Sequence, residues 1–454
     1  MGELTRSIAD FLCSMPDRPL PDGAAEVVGI GFCDAIGVMI AGCGEPVHIA
    51  ALTAMRARQS RPESRIALGP ERCIAPDAAM VGAVAAHALD YDDYAYSNHV
   101  SAILVPAILA EAEHLGADGD AMLRAYVAGY EVWRTLMKRE PDDFYERGWH
   151  PTAVLGGFGV VAAMSVLHRL TRDQIVNALG LAVAHGGGVM GNFGSMAKPF
   201  QGGHAAQGGM SSVRLALAGM DAGPDALDGA NGFLRALSPH QRIDTATPAD
   251  MLGHDWGIID ERLNIKRYPT VGSSQRSADC ATRLHHDHAP DIDAIERVCA
   301  HISEKHIRVM PIHAPRTALE AKFSLEFVVA AGLISGEVGF DQLTDAYVQR
   351  PDVQRLIARV EPVVGPDDDP EFLAGARADI IHLHMRDGSV LSSPEVTRWR
   401  GHARNPMTTG ELKAKFMDCS ARRIGETEAS ALFDRLQNIR GLRTVADLPV
   451  IAPA

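Results

Sequence analysis

Residues 27–44 read "VVGIGFCDAIGVMIAGCG", the longest near-apolar run in the chain. Such a run is long enough to be weighed as a membrane span. Asp34 sits in its middle, five glycines interrupt it, and no basic residues flank it. Those features point instead to a helix buried inside a protein core. The same character extends through the first half of the sequence. "PDAAMVGAVAAHALD" from Pro76, "AILVPAILAEAEHLG" from Ala102, "DAMLRAYVAGYEVWRTLMK" from Asp120 and "TRDQIVNALGLAVAHGGG" from Thr171 are alike. Each repeats apolar residues at i, i+3 and i+4, opens on a capping Asp, Ser or Thr or tends to close on Gly. Their small residues suit close helix packing, so an all-helical bundle is expected.

The pattern changes after "NIKRYPTVGSSQRS" (264–277). "IERVCAHISEKHIRVM" (295–310) carries β-branched residues in loose alternation, and "ADIIHLHMRDGSVLSSPEV" (378–396) reads as two strands about an Asp387-Gly388 turn. Helical segments such as "EAKFSLEFVVAAGLISG" lie between them. The expected organisation is mostly α: an all-helical domain over 1–266, a smaller α/β domain over 267–395, and C-terminal helices, 396–454, returning to the first domain.

The formal net charge is −14, which opposes binding to nucleic acid or to an anionic membrane. An anionic substrate would therefore need a local cationic pocket. Only seven lysines occur, so a lysine set among Gly and Pro, as Lys198 and Lys266 are, draws attention. Seven scattered cysteines without a CxxC pair fit a reducing compartment and oppose a structural zinc site. No signal peptide is visible in "MGELTRSIADFLCSMPDRP", and the expected location is the cytoplasm.

Four stretches carry candidate chemistry. "HALDYDDYAYSNH" (87–99) holds Asp90, Asp92, Asp93 and two histidines. Read on a helix, its acids spread over two faces and do not converge on one ion, so no metal is expected. The plain alternative is helix capping. A class II terpene cyclase acid motif would need an aromatic-lined cavity, which 6% aromatic residues oppose. "YERGWHPTAVLGGFG" (145–159) places Tyr145 near Arg147, whose charge would draw a phenol towards neutrality, with His150 beyond. "HGGGVMGNFGSMAKPFQGGHAAQGGM" (185–210) is not a phosphate loop, since Pro follows Lys198, but it offers a point charge to a carboxylate. In "NIKRYPTVGSSQRS", Arg267 beside Lys266 would favour the neutral amine, and the turn at Ser273 suits carboxylate oxygens. Each of the last three also has a structural reading: a packed Tyr and His, close helix packing, and a basic hinge.

In order and spacing, "HALDYDDY…HVSAILVPAIL", "GYEV", "RGWHPTAVLGGFG", "GSMAKPFQGGHAAQGG", "IKRYP" and "AKFSLEFVVAAGL" resemble the MmgE/PrpD family over nearly the whole chain. That family includes 2-methylcitrate dehydratase, cis-aconitate decarboxylase and iminodisuccinate epimerase. The resemblance implies a helical domain built from both chain ends, an α/β lid, a homodimer, no cofactor, and a site for a small polycarboxylate. It carries family roles onto Asp90, His99, His150, Lys198 and Lys266. Tyr94, Val271, Gln275 and Phe327 depart from residues common in the family; the decarboxylases carry an aromatic hydroxyl at the last position. Taking Tyr145 and Lys266 as two bases, the expected activity is cofactor-independent epimerisation of an iminodisuccinate-like dicarboxylate. Asp90, His99, Arg147, His150, Lys198, Arg267 and Ser273 would bind substrate. The alternatives are a hydro-lyase or a decarboxylase acting on a tricarboxylate, and a non-catalytic carboxylate binder.

Overall fold

A computed structural model describes residues 2–370 and 375–452. The chain divides into two compact units, one of residues 1–192, 196–264 and 408–454, the other of 193–195 and 265–407.

The first unit is helical. Helix Ala24–Gly42 is long and apolar enough for a membrane span by composition, yet it is buried along most of its length. It packs on helices Ala75–Ala88, Thr409–Ile424 and Glu426–Gln437, so the C-terminal segment does join the helical unit. Close approach explains the glycines. A Cβ on Gly42 would lie 2.0 Å from the carbonyl oxygen of Ala85, and one on Gly209 2.5 Å from that of Gly157. Helix Ala197–Leu217 packs on Ala75–Ala88 and Pro151–Leu167, and the latter also packs on Gly119–Lys138. Side-chain caps mark some of the starts, whereas Ala75–Ala88 and Val100–Leu115 begin without one. Asp118 accepts from the Ala121 amide, and Thr171–Gln174 and Thr408–Glu411 form capping boxes.

The second unit holds a four-stranded mixed sheet in the order Val360–Gly365, Ile295–Ser303, Ile380–Met385, Val390–Ser392. The first pair is parallel and the other two are antiparallel. The hairpin turns at Asp387-Gly388, where Gly388 takes φ +87°. Val298, Ala300, Ile302, Ile381, Leu383 and Met385 alternate onto one buried face, the period-two pattern of a half-buried sheet. Helices Gln275–His288 and Leu325–Ser335 pack together, and both contact the sheet. Strand Ile295–Ser303 stops where Ser303 caps the short helix Glu304–Arg308.

Residues 396–407 stay with this unit rather than with the returning helices. Trp399 Nε1 donates to the Ile265 carbonyl at 3.3 Å, and the Ile265 amide donates to Gly401 at 2.7 Å. Those bonds tie the segment to Ile265, where the long stretch of the second unit begins, a pairing that local pattern does not reveal.

Candidate functional site

Helix Ala75–Ala88 ends just before the acidic stretch, and Asp90 takes the left-handed φ of 51° that turns the chain out of it. The D-x-D-D residues therefore lie in a loop, not on a helix. This corrects the expectation that they diverge. Ligand atoms of His87, Asp90, Asp92 and His99 all fall within 4.8 Å of one another. Lys198 supplies a cation there, its Nζ 3.2 Å from Asp90 Oδ1 and 3.0 Å from His87 Nε2.

Asp92 is fully buried and joins two imidazoles. Its carboxylate meets His87 Nδ1 at 3.0 Å and His99 Nδ1 at 2.7 Å. Burial alone would raise its pKa, but His99 and His87 outweigh it and hold the carboxyl well below the usual range. His87 has its pKa lowered by burial and by Lys198, so it stays neutral. With Lys198 donating to Nε2, its proton lies on Nδ1, towards Asp92.

His150 is buried, and desolvation, then Lys198, keeps its pKa well below the ordinary imidazole value. The Gln201 side chain fixes its tautomer. Gln201 Oε1 accepts from the Val189 amide at 2.9 Å and from Asn192 Nδ2 at 2.8 Å. Its amide nitrogen therefore faces His150 Nδ1 at 3.0 Å and donates to it. The imidazole proton is left on Nε2, where it is a donor. The His87 ring lies 4.2 Å from that of His99 and 6.2 Å from that of His150, centroid to centroid.

Three helices begin at this cluster. His99 is the N-cap of Val100–Leu115, His150 the N-cap of Pro151–Leu167, and Lys198 the second residue of Ala197–Leu217. Helix N-termini carry partial positive charge and unpaired amides, so they favour carboxylates. In a chain of net charge −14 these amides and Lys198 set donors beside the carboxylates of Asp90 and Asp92.

The other expected residues divide. Tyr145 is half-buried in the turn Phe144–Arg147, while Arg147 is exposed. Burial, then the carboxylates of Asp143 and Asp90, push the Tyr145 phenol up. The expectation that Arg147 draws it down is corrected: acids, not a cation, set its surroundings. Lys266, Arg267 and Ser273 belong to the second unit. Lys266 is fully buried. Arg267 pairs with Asp279 at 3.5 Å and lies 5.5 Å from the Tyr268 ring centroid. Ser273 lies in the half-buried turn Gly272–Ser274. Asp92, His87 and Gln201 were missing from the expected set, although all three stand inside the quoted motifs.

Residues 6–246 match the MmgE/PrpD N-terminal domain and residues 268–438 the MmgE/PrpD C-terminal domain. The chain belongs to the MmgE/PrpD family. Among relatives of this MmgE/PrpD protein, cis-aconitate decarboxylase of Mus musculus is 26% identical over 97% of this chain and 92% of its own length. The Homo sapiens enzyme of that name is 27% identical over 82% and 78% of the two chains. That of Aspergillus terreus is 25% identical over 83% and 82%. These relatives overturn the expectation of an epimerase. They are decarboxylases, and the raised phenol of Tyr145 removes half of the two-base argument that led to it. What stands is that the chain is an enzyme of this family.

Proposed function

We propose that this chain is a lyase that decarboxylates an unsaturated tricarboxylate such as cis-aconitate. The observation that carries the reading is the near end-to-end similarity to cis-aconitate decarboxylases. The chemistry of the first-unit cluster supports it. Cleavage of the C–CO2 bond leaves an electron pair on carbon, which delocalises towards a neighbouring carboxylate, and a proton then completes the five-carbon diacid. The reaction consumes one proton and releases CO2. It needs cations and donors where negative charge accumulates, and an acid beside the reacting carbon.

Lys198 and the Nε2–H of His150 are suited to hold carboxylates, helped by the three helix N-termini. His99, anchored through Nδ1 to the ionised Asp92, presents Nε2 as the atom that gives or takes a proton. Asp90 sits 3.7 Å from that nitrogen and 3.2 Å from Lys198, and so sets the spacing of the two. Purified protein supplied with cis-aconitate should release CO2. Lys198→Met and His99→Gln should each lower the rate per folded molecule about a hundredfold or more. Wild-type rates in both variants would refute the assignment.

A further inference from the structure

Helix Thr409–Ile424 contributes no atom to the imidazole cluster, yet one of its side chains reaches the loop that carries Asp92. Lys415 is buried, with Nζ donating to the Tyr91 carbonyl at 2.8 Å and lying 4.0 Å from the Tyr91 ring centroid. Its counter-ion is Asp34 of helix Ala24–Gly42, at 2.6 Å. The second oxygen of Asp34 accepts from the Asp93 amide at 2.8 Å. A single buried ion pair thus grips the carbonyl before Asp92 and the amide after it.

The grip falls where the backbone is least able to hold itself. Asp90, Tyr96 and Ser97 take φ of 51°, 38° and 62° in the same loop, a region side chains seldom adopt. Below Asp93, the loop is also tied to the next helix: the Ser101 amide donates to Asp93 Oδ1 at 3.4 Å, and Ser101 Oγ meets the Tyr126 hydroxyl at 2.7 Å.

We propose that the Lys415–Asp34 pair is a positioning device for the reaction. By fixing the peptide groups on both sides of Asp92, it sets the angle at which that carboxylate meets His87 and His99. The assignment rests on the decarboxylase reading for its rate measurements alone. A misplaced carboxylate would leave substrate binding by Lys198 and His150 largely intact and would weaken proton transfer. The loss should therefore fall on kcat rather than KM.

The test compares Lys415→Met, Asp34→Asn and the double variant with Lys413→Met. Lys413 is partly exposed on the same helix and pairs with Asp434 at 3.1 Å. Lys415→Met should lower kcat with cis-aconitate about tenfold to a hundredfold, with KM within about threefold of wild type. Lys413→Met should leave both unchanged. The double variant leaves neither charge unpaired and replaces Lys415→Met if the latter does not fold. In parallel, the imidazoles of 15N-histidine-labelled protein are titrated without substrate. Asp92, Asp90, His87, His150 and Lys198 are charged or titratable groups near His99, and moving Asp92 should displace the His99 and His87 curves. This readout survives if cis-aconitate proves not to be the substrate. A folded Lys415→Met, or a folded double variant in its place, with wild-type kcat and unmoved histidine titrations would overturn the proposal.

Discussion

Asp92 accepts from two imidazoles while fully buried, and a carboxylate so placed stays ionised only because both rings face it. Asp92→Asn keeps the shape but not the charge. It should lower kcat about a hundredfold, since His99 loses the partner that orients it and stabilises its protonated form. Steady-state rates at matched folded fraction check this. Gln201 offers a sharper residue-scale test. Gln201→Glu would place an acceptor opposite His150 Nδ1, draw the imidazole proton there and remove the Nε2–H donor. The expected result is a raised KM and a changed 15N shift of the His150 ring; an unchanged shift contradicts the tautomer assignment. The family resemblance carried roles onto Asp90, His99, His150 and Lys198, and the scarcity of lysine also drew attention to Lys198. Sequence pattern passed over His87, which reads locally as one more residue of a buried helix. Asp34 and Lys415 lie 59 residues from Asp93 and 324 from Tyr91, distances that no local period spans.

Helices do the concentrating of charge. Val100–Leu115, Pro151–Leu167 and Ala197–Leu217 start at His99, at His150 and just before Lys198. Their packing therefore decides whether these groups meet. Gly42 sets one such contact, against the Ala85 carbonyl on the helix that leads into the site loop. Gly42→Ala should cost about 1–3 kcal/mol by overpacking, read as a lowered denaturant midpoint. An unchanged midpoint would mean that the two helices separate freely. The helices themselves were legible from their 3.6-residue period and caps, as was the hairpin at Asp387-Gly388. The tie of residues 396–407 to Ile265 was not, because it depends on backbone bonds between distant segments.

At the scale of the molecule, buried neutral histidines tie stability to pH. Burial first, then Arg423, lowers His48 to about 4, and burial with Arg398 lowers His402 to about 4. His87, His150 and His306 are also shifted down. Each binds a proton more readily when unfolded, where the value is about 6.5. The histidine contribution to stability is thus full above pH of about 6.5 and falls as pH drops towards 4, by up to about 1.4 kcal/mol per pH unit for each such histidine. Asp92, also depressed, adds its loss only at still lower pH. The raised carboxyls of Glu131, to about 7, and of Asp34, Asp93 and Asp379 act in the opposite direction, so the histidines are read directly. The 15N titrations of His48 and His402 in folded protein should fall well below pH of about 6.5; midpoints at that value would place these rings in solvent.

The proposed reaction of this MmgE/PrpD protein removes CO2 from an unsaturated tricarboxylate and returns a proton to carbon. Proton NMR of the protein with cis-aconitate in D2O addresses it in one reaction. The account predicts a five-carbon diacid carrying one solvent-derived deuterium, formed with loss of the starting signals. A hydrated six-carbon product, or deuterium exchange with the carbon skeleton intact, would contradict it.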